Sequence, residues 1–477
     1  MSAIGSWSRP DATLERAAEL AREFLAGLAE RPVGRPVAVE TLRRTLGGAL
    51  PDDGEDPRAV LDALARDADP GLVASAGPRY FGFVTGGALP AAVGADWLAS
   101  AWDQNAWTYV ASPAGAVVEE AAGRWLVELL GLPPSTSVGF TTGATMASFT
   151  ALAAARHAVL ARVGHDVEEQ GLTGAPEIAI LAGDAAHATI FAAVQMLGLG
   201  RGRVRRVAAD DAGRMRPDQL REALAAVSGP AIVCAQAGEV NTGSFDPLDE
   251  IASLCQERGA WLHVDGAFGL WAAASPALRH LVRGADRADS WTVDGHKWLN
   301  VPYDTGYVFV RDAEAHRAAF ASGAPYYAAG LKTGGYEAAA GRENFHYVPE
   351  ASRRARGFPT WAALRSLGRR GVAELVERCC AHARRMADAL RVSNDVELLN
   401  EVVLNQVLVR FRPPSGDAGT FTRDVIRRIQ ADGTCWLGGT TWRGQTAARI
   451  SISNAATTEA DIDRSAAAIL ACFRAAA

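Results

Sequence analysis

Of the 48 lysines and arginines in the chain, only Lys297 and Lys332 are lysines, so arginine supplies the other 46. A chain that uses guanidinium wherever a surface cation will serve keeps a lysine where guanidinium cannot substitute. Forming an imine with an aldehyde is one such task, because it needs a primary amine that can lose its proton. Lys297 lies in Ser290-Trp-Thr-Val-Asp-Gly-His-Lys-Trp, between an apolar run and the predicted strand Tyr307 to Val310. That position puts its amine in a crevice. Thirty-two residues earlier, Trp261-Leu-His-Val-Asp places Asp265 at the C-terminal end of an apolar run that reads as a buried strand. Parallel α/β sheets gather ligands at those ends. A carboxylate there can keep a pyridine nitrogen protonated, so that the ring acts as an electron sink. On that segment alone, an aspartate capping the next helix is an equally good account.

Two further segments extend the pattern. Val138-Gly-Phe-Thr-Thr-Gly-Ala-Thr-Met-Ala runs from an apolar strand through a small-residue turn into an alanine-rich helix. Free N–H groups and the helix dipole at such a start suit a phosphate. Gly143 and Ala144 permit close backbone approach and Thr145 adds a hydroxyl, although turns of this kind are common. Ile178-Ala-Ile-Leu-Ala-Gly-Asp-Ala-Ala-His sets His187 at a helix start, where its ring could stack on a pyridine face. An isolated histidine is more often a structural residue. A lysine for an aldehyde, an aspartate for a pyridine nitrogen, a helix start for a phosphate and an imidazole for the ring face point together to pyridoxal 5′-phosphate (PLP).

The elements that must position these groups follow from periodicity. Leu14 to Leu28, Val39 to Leu46 and Pro57 to Ala68 read as helices, and residues 1–78 as an N-terminal helical segment. From there to residue 350, short apolar runs (Ile178 to Ala182, Ala231 to Ala235, Trp261 to Val264, Thr305 to Val310) alternate with helical stretches. That alternation predicts a large α/β domain with a mainly parallel sheet. Ala321 to Phe358 reads as loops. Residues 351–477 read as a smaller α+β domain: a helix over Trp361 to Arg391, strands at Val402 to Phe411 and Ala448 to Ser453, and a last helix from Thr458.

Composition narrows the function. With 49% hydrophobic and 21% charged residues the chain is globular. A net charge of −6 leaves no positive field for nucleic acid or an anionic membrane surface. The six cysteines are scattered without metal-ligand spacing, so no metal is expected. Their expected state is the free thiol of a reducing cytoplasm. No signal peptide or membrane span is visible.

Taken together and in order, the four segments resemble the PLP-dependent group II amino-acid decarboxylases, the family of the aromatic-L-amino-acid, histidine and glutamate decarboxylases. The likeness runs from about Arg79 to Arg311, with a weaker trace at Arg449-Ile-Ser-Ile-Ser-Asn. It implies PLP-dependent transferase fold type I, with a seven-stranded mainly parallel sheet and helices on both faces, and a homodimer with the active site at the subunit interface. It implies decarboxylation of an L-amino acid, aromatic or otherwise bulky, to the amine and carbon dioxide through an external aldimine and a quinonoid. Lys297 then looks like the aldehyde-binding lysine, Asp265 the pyridinium partner and His187 the stacking histidine. Ala144, Thr145 and His296 fall where the family contacts the phosphate, and Gly143 and Asp294 are further cofactor-binding candidates. Tyr326 falls on a loop tyrosine that reprotonates the substrate carbon, with Tyr327 one step away. Phe83, Val84, Thr85, Trp107 and Tyr303, and less directly Trp102, are candidates for the substrate pocket; with 12 tryptophans in the chain, core packing competes for each aromatic.

Some positions depart from the family pattern. Gly266 follows Asp265 where alanine is usual, Glu239-Val240 replaces a Thr-Thr pair, and Asp294-Gly295 precedes His296. Oxidative deamination coupled to decarboxylation, or aminotransfer, is the alternative outcome on the same scaffold. A degenerate, non-enzymatic binding protein is a third reading, disfavoured by the presence of Lys297, Asp265 and His187 together.

Overall fold

The structure is a computed structural model that describes residues 11–321 and 342–477. Three helices lead: α1 (Asp11–Gly27), α2 (Val39–Leu46) and α3 (Pro57–Ala68). Asp56 caps α3 by accepting from the backbone N–H of Arg58 and Ala59. Among the described residues neither α2 nor α3 has a buried residue, and α3 packs on α1 and α2. Helices α4 (Pro90–Trp102) and α5 (Pro113–Leu129) then lead into the sheet.

Seven strands form that sheet: β1 (Ser137–Thr141), β2 (Ala179–Gly183), β3 (Arg205–Val207), β4 (Ala231–Gln236), β5 (Trp261–Asp265), β6 (Ser290–Asp294) and β7 (Gly306–Val310). Their order is β1-β7-β6-β5-β4-β2-β3, and only β7 runs antiparallel to its neighbours. The expected fold type I sheet is therefore present, with helices on both faces. Each residue of β2, β4, β5, β6 and β7 is buried, and all of these but β6, Ser-Trp-Thr-Val-Asp, carry the apolar runs seen in the sequence.

Two apolar cores lie on opposite faces of the sheet, and the strands feed them alternately. Leu181, Val233, Leu262, Val264 and Val293 point to one core. Ile180, Ala182, Ile232, Cys234 and Trp261 point to the other. The second core is filled mainly by α6 (Ala144–Ala161) and α8 (Ala188–Met196), whose small residues let the helices lie close on the sheet. Between them is the short α7 (Val167–Gln170), and further along come α9 (Pro217–Ala225), α10 (Leu248–Arg258) and α11 (Ala313–Ala318).

Helix α12 (Gly357–Leu390) breaks at Gly368, whose φ of +61° lies in the left-handed region. It leads to an antiparallel sheet of order β10-β11-β9-β8, made of β8 (Val396–Leu398), β9 (Gln406–Phe411), β10 (Gly438–Trp442) and β11 (Gln445–Ser451). Helices α13 (Ala418–Asp432) and α14 (Glu459–Arg474) cover it, and Thr458 and Asp461 form a capping box at the start of α14. No described helix is long and apolar enough to cross a membrane.

Some strand predictions ran too far: the one over Ala448 to Ser453 ends at Ser451, and two others begin late. The strand predicted from Val402 begins at Gln406, because the Asn400 and Asn405 side chains take up backbone groups that a longer ladder would have used. The strand predicted from Thr305 begins at Gly306, because the Thr305 N–H donates to the His296 ring instead of to a ladder partner.

Candidate active site

The loops after β1, β2, β4, β5 and β6 meet in one cavity of about 400 Å³. Lining it are Lys297, Asp265, His187, Gly143, Ala144, Thr145, Asp294 and His296, together with Phe83 and Tyr303 from the predicted substrate set. Ten residues chosen from five stretches of sequence thus share one space. A larger depression of about 870 Å³, flanked by Asp210, Arg214, Asp246 and Arg283, contains none of them.

Asp265 ends β5 and is 5% exposed. One oxygen accepts from the Ala267 N–H at 3.2 Å, and the side chain lines the cavity. Gly266 has a steric cause: a Cβ there would come within 2.5 Å of the Leu270 Cβ.

His187 caps the N-terminus of α8, its Nδ1 accepting from the Thr189 N–H. Its own N–H donates to the Gln236 side chain at 3.2 Å, and Gln236 in turn donates to the Ala185 carbonyl. Burial holds the His187 ring below its ordinary range; the Asp265 charge opposes this, while Lys297 and Arg449 add to it. The ring is therefore neutral near pH 7.

Gly143 caps the N-terminus of α6 with extended backbone. A Cβ at Gly143 would lie 3.0 Å from the His296 ring, and one at Gly306 would lie 2.5 Å from the Gly143 Cα. These glycines let β7, the turn and His296 close around the helix start. His296 accepts at Nδ1 from the Thr305 N–H, stacks on Tyr303 with centroids 4.4 Å apart, and is held below its ordinary range chiefly by burial. The Tyr303 hydroxyl hydrogen-bonds with Thr85 Oγ1 at 3.2 Å.

Lys297 Nζ lies 3.0 Å from Asp294 Oδ2. The other oxygen, Asp294 Oδ1, accepts from the Ala144 N–H at 2.6 Å, at the first residue of α6. Asp294 is 2% exposed, so one buried carboxylate joins the lysine to the helix start.

Other predicted residues lie elsewhere or are not described. The Val84 side chain is fully buried in the core. Thr85 reaches the cavity only through Tyr303. Trp107 packs against Phe345, and Trp102 against Phe358. Tyr326 and Tyr327 lie outside the described residues. Thr142, Thr189, Gln236, Ala267 and Phe268 also line the cavity and were not anticipated. Gln236 had a signal, since it ends β4 as Asp265 ends the adjacent β5.

At the Glu239-Val240 departure, Val240 presents an apolar side chain to the cavity. The Glu239 carboxylate closes its own loop by accepting from the Asn241 and Thr242 N–H groups, both at 2.7 Å, and from the Asn241 amide.

A primary amine, a buried carboxylate, a neutral imidazole and a helix start around a single cavity form a donor set that fits PLP. The family model for the pyridoxal-dependent decarboxylase conserved domain matches residues 40–412. The chain belongs to the pyridoxal-dependent decarboxylase family. Its cofactor is PLP and its reaction is the decarboxylation of an amino acid.

Among curated relatives, an aromatic-L-amino-acid decarboxylase of Bacillus atrophaeus is 28% identical over 93% of this chain and 91% of its own. A tryptophan decarboxylase of Oryza sativa subsp. japonica is 28% identical over 92% and 89%. A human acidic amino acid decarboxylase is 29% identical over 79% and 71%. Among solved structures, mouse CSAD superposes with a TM-score of 0.88 at 26% identity, covering 97% of this chain and 98% of that one. The decarboxylase family thus embraces relatives named for aromatic and for acidic substrates.

Proposed function

We propose that the protein converts an L-amino acid with an aromatic or otherwise bulky side chain into the amine and carbon dioxide. In this reading Lys297 binds the cofactor aldehyde, Asp265 holds a proton at the ring nitrogen, and His187 lies against the ring. The start of α6, with Gly143, Ala144, Thr145 and His296, seats the phosphate beside Asp294. PLP supplies an electron sink for the pair released when a bond at the substrate α-carbon breaks.

The observation that carries this reading is that Lys297 and Asp265, from adjacent strand ends, line the same cavity as His187 and the start of α6. Asp265 is buried beside a histidine kept neutral, so its charge is directed at the ring position rather than at a cation on His187. Toward the substrate side, Phe83, Val240, Phe268 and Tyr303 give the lining an apolar share, and no described lining residue is an arginine. A carboxylate in such surroundings is poorly solvated and leaves more readily than one clamped by a guanidinium. The two curated relatives named for aromatic substrates cover nine-tenths of this chain, which supports the bulky-substrate reading.

One observation favours an acidic substrate as the second reading. The Arg449 side chain on β11 makes no hydrogen bond or ion pair among the described residues, and its charge acts on His187 and is drawn to Glu239. The two readings separate in one experiment: the PLP-loaded enzyme is given aromatic and acidic L-amino acids while carbon dioxide and primary amine are followed together. Equal amounts of the two products from an aromatic amino acid support the first reading. Turnover confined to aspartate, glutamate or cysteine sulfinate replaces it with the second. Aldehyde with ammonia and peroxide, or a keto acid, replaces both with the oxidative or aminotransfer outcome. Tyr326→Phe is expected to move product from amine toward aldehyde, and an unchanged product ratio removes Tyr326 from its role as proton donor.

We also propose that the working unit is a homodimer. Leu14, Leu25, Leu64, Trp97, Leu98 and Trp102, on α1, α3 and α4, are each at least 40% exposed in the single chain. A second copy would take that surface out of water.

A further inference from the structure

The start of α6 is already occupied by an anion of the protein itself. Asp294 Oδ1 accepts from the Ala144 N–H at 2.6 Å and lies 3.6 Å from His296 Nε2, while Oδ2 lies 3.0 Å from Lys297 Nζ. A helix start offers its free N–H groups and positive dipole end to an anion, and Asp294 holds the first of these groups, that of Ala144. The same N–H and the same histidine belong to the phosphate seat proposed above, and the inference rests on that reading.

We propose that Asp294 is a resident anion that competes with the cofactor phosphate for the start of α6 and so sets the affinity of the enzyme for PLP. The carboxylate satisfies a buried N–H and the lysine ammonium while the cofactor is away. An incoming phosphate must either displace it from the Ala144 N–H or share a small, buried space with it. Both weaken binding, the first through a lost hydrogen bond and the second through repulsion between like charges in a poorly screened site. The exposure of Asp294, 2%, leaves little water to screen that repulsion. An asparagine of the same shape would remove the repulsion and offer an amide N–H to the phosphate.

The test compares the apoenzymes of the wild type, Asp294→Asn and Asp294→Ala, titrated separately with PLP and with pyridoxal, which lacks the phosphate. Bound cofactor is followed by its absorbance and by quenching of tryptophan fluorescence. Asp294→Asn is expected to bind PLP about tenfold more tightly than wild type, a difference of about 1.4 kcal/mol, with Asp294→Ala shifted in the same direction. Pyridoxal, whose affinity reports only on Lys297 and the ring contacts, should change by much less than PLP in both variants. Unchanged or weaker PLP binding in both variants overturns the proposal, as does an equal gain for pyridoxal, which would place the effect at Lys297. If wild-type enzyme binds PLP and pyridoxal equally well, the phosphate seat itself is misplaced, a failure distinct from that of Asp294.

Discussion

At the scale of single residues, the account turns on charges held close together out of water. Asp265 is buried and hydrogen-bonded through one oxygen to the Ala267 N–H, which leaves the carboxylate able to keep a ring nitrogen protonated. Asp265→Asn retains the shape and removes the charge. It is expected to lower kcat by about 10²–10³-fold, the range found when one preorganised electrostatic group is lost, with KM changed far less. Steady-state kinetics on the PLP-saturated variant reads this directly, and a kcat within a few-fold of wild type would contradict it. Lys297 and Asp265 were legible in the sequence because their residue types are chemically restrictive and their neighbours apolar. Asp294 was legible only as a cofactor-binding candidate without a stated role. Its bridge between Lys297 and the Ala144 N–H spans 150 positions, from β6 to the start of α6, and no local pattern announces such a contact.

At the scale of elements, the cavity depends on how closely β7 and the turn before α6 approach. A Cβ at Gly306 would meet the Gly143 backbone at 2.5 Å, where only the backbone could yield, while one at Gly143 would meet the edge of the His296 ring at 3.0 Å. Gly306→Ala is therefore expected to weaken PLP binding by at least about tenfold, or about 1.4 kcal/mol, and more than Gly143→Ala does. Titration of the two apoenzymes with PLP orders them, and the reverse order would contradict this packing. The buried strands β2, β4, β5 and β7 were visible as apolar runs because both of their faces are covered. The edge strand β3, the three-residue β8 and the glycine- and threonine-rich β10 carry no such run, since their faces are partly exposed, and they appear only through pairing. Trp107 looked like a pocket aromatic for the same reason that it packs on Phe345: aromatic side chains suit cores and pockets alike.

At the scale of the whole molecule, dimerisation and acid sensitivity follow from what is exposed and what is buried. Trp97 and Leu98 stand on α4, 43% and 48% exposed. Leu98→Arg is expected to shift the protein from dimer to monomer in sedimentation and to lower activity with it; a fully active dimer would remove this surface from the interface.

Burial pushes His263 and His316 down to about 3. The unfolded chain protonates these rings below about pH 6.5, so their stabilisation is complete above that value and is lost as the pH falls. Asp246, pushed up to about 6 by burial, acts in the opposite sense and offsets one of them below pH 6. The two rings together outweigh the one carboxylate, so unfolding free energy is expected to fall as the pH drops from 6 to 4. Urea denaturation across that range measures it, and a stability that is flat or rises on acidification would contradict it.

The central claim is that the cofactor aldehyde is bound by Lys297, and the scarcity of lysine makes the test nearly binary, because Lys332 is the only other lysine side chain. Holoenzyme reduced with borohydride, digested and analysed by mass spectrometry is predicted to carry a pyridoxyl group on the peptide containing Lys297. A pyridoxyl group on Lys332, or none on either lysine, would contradict the account.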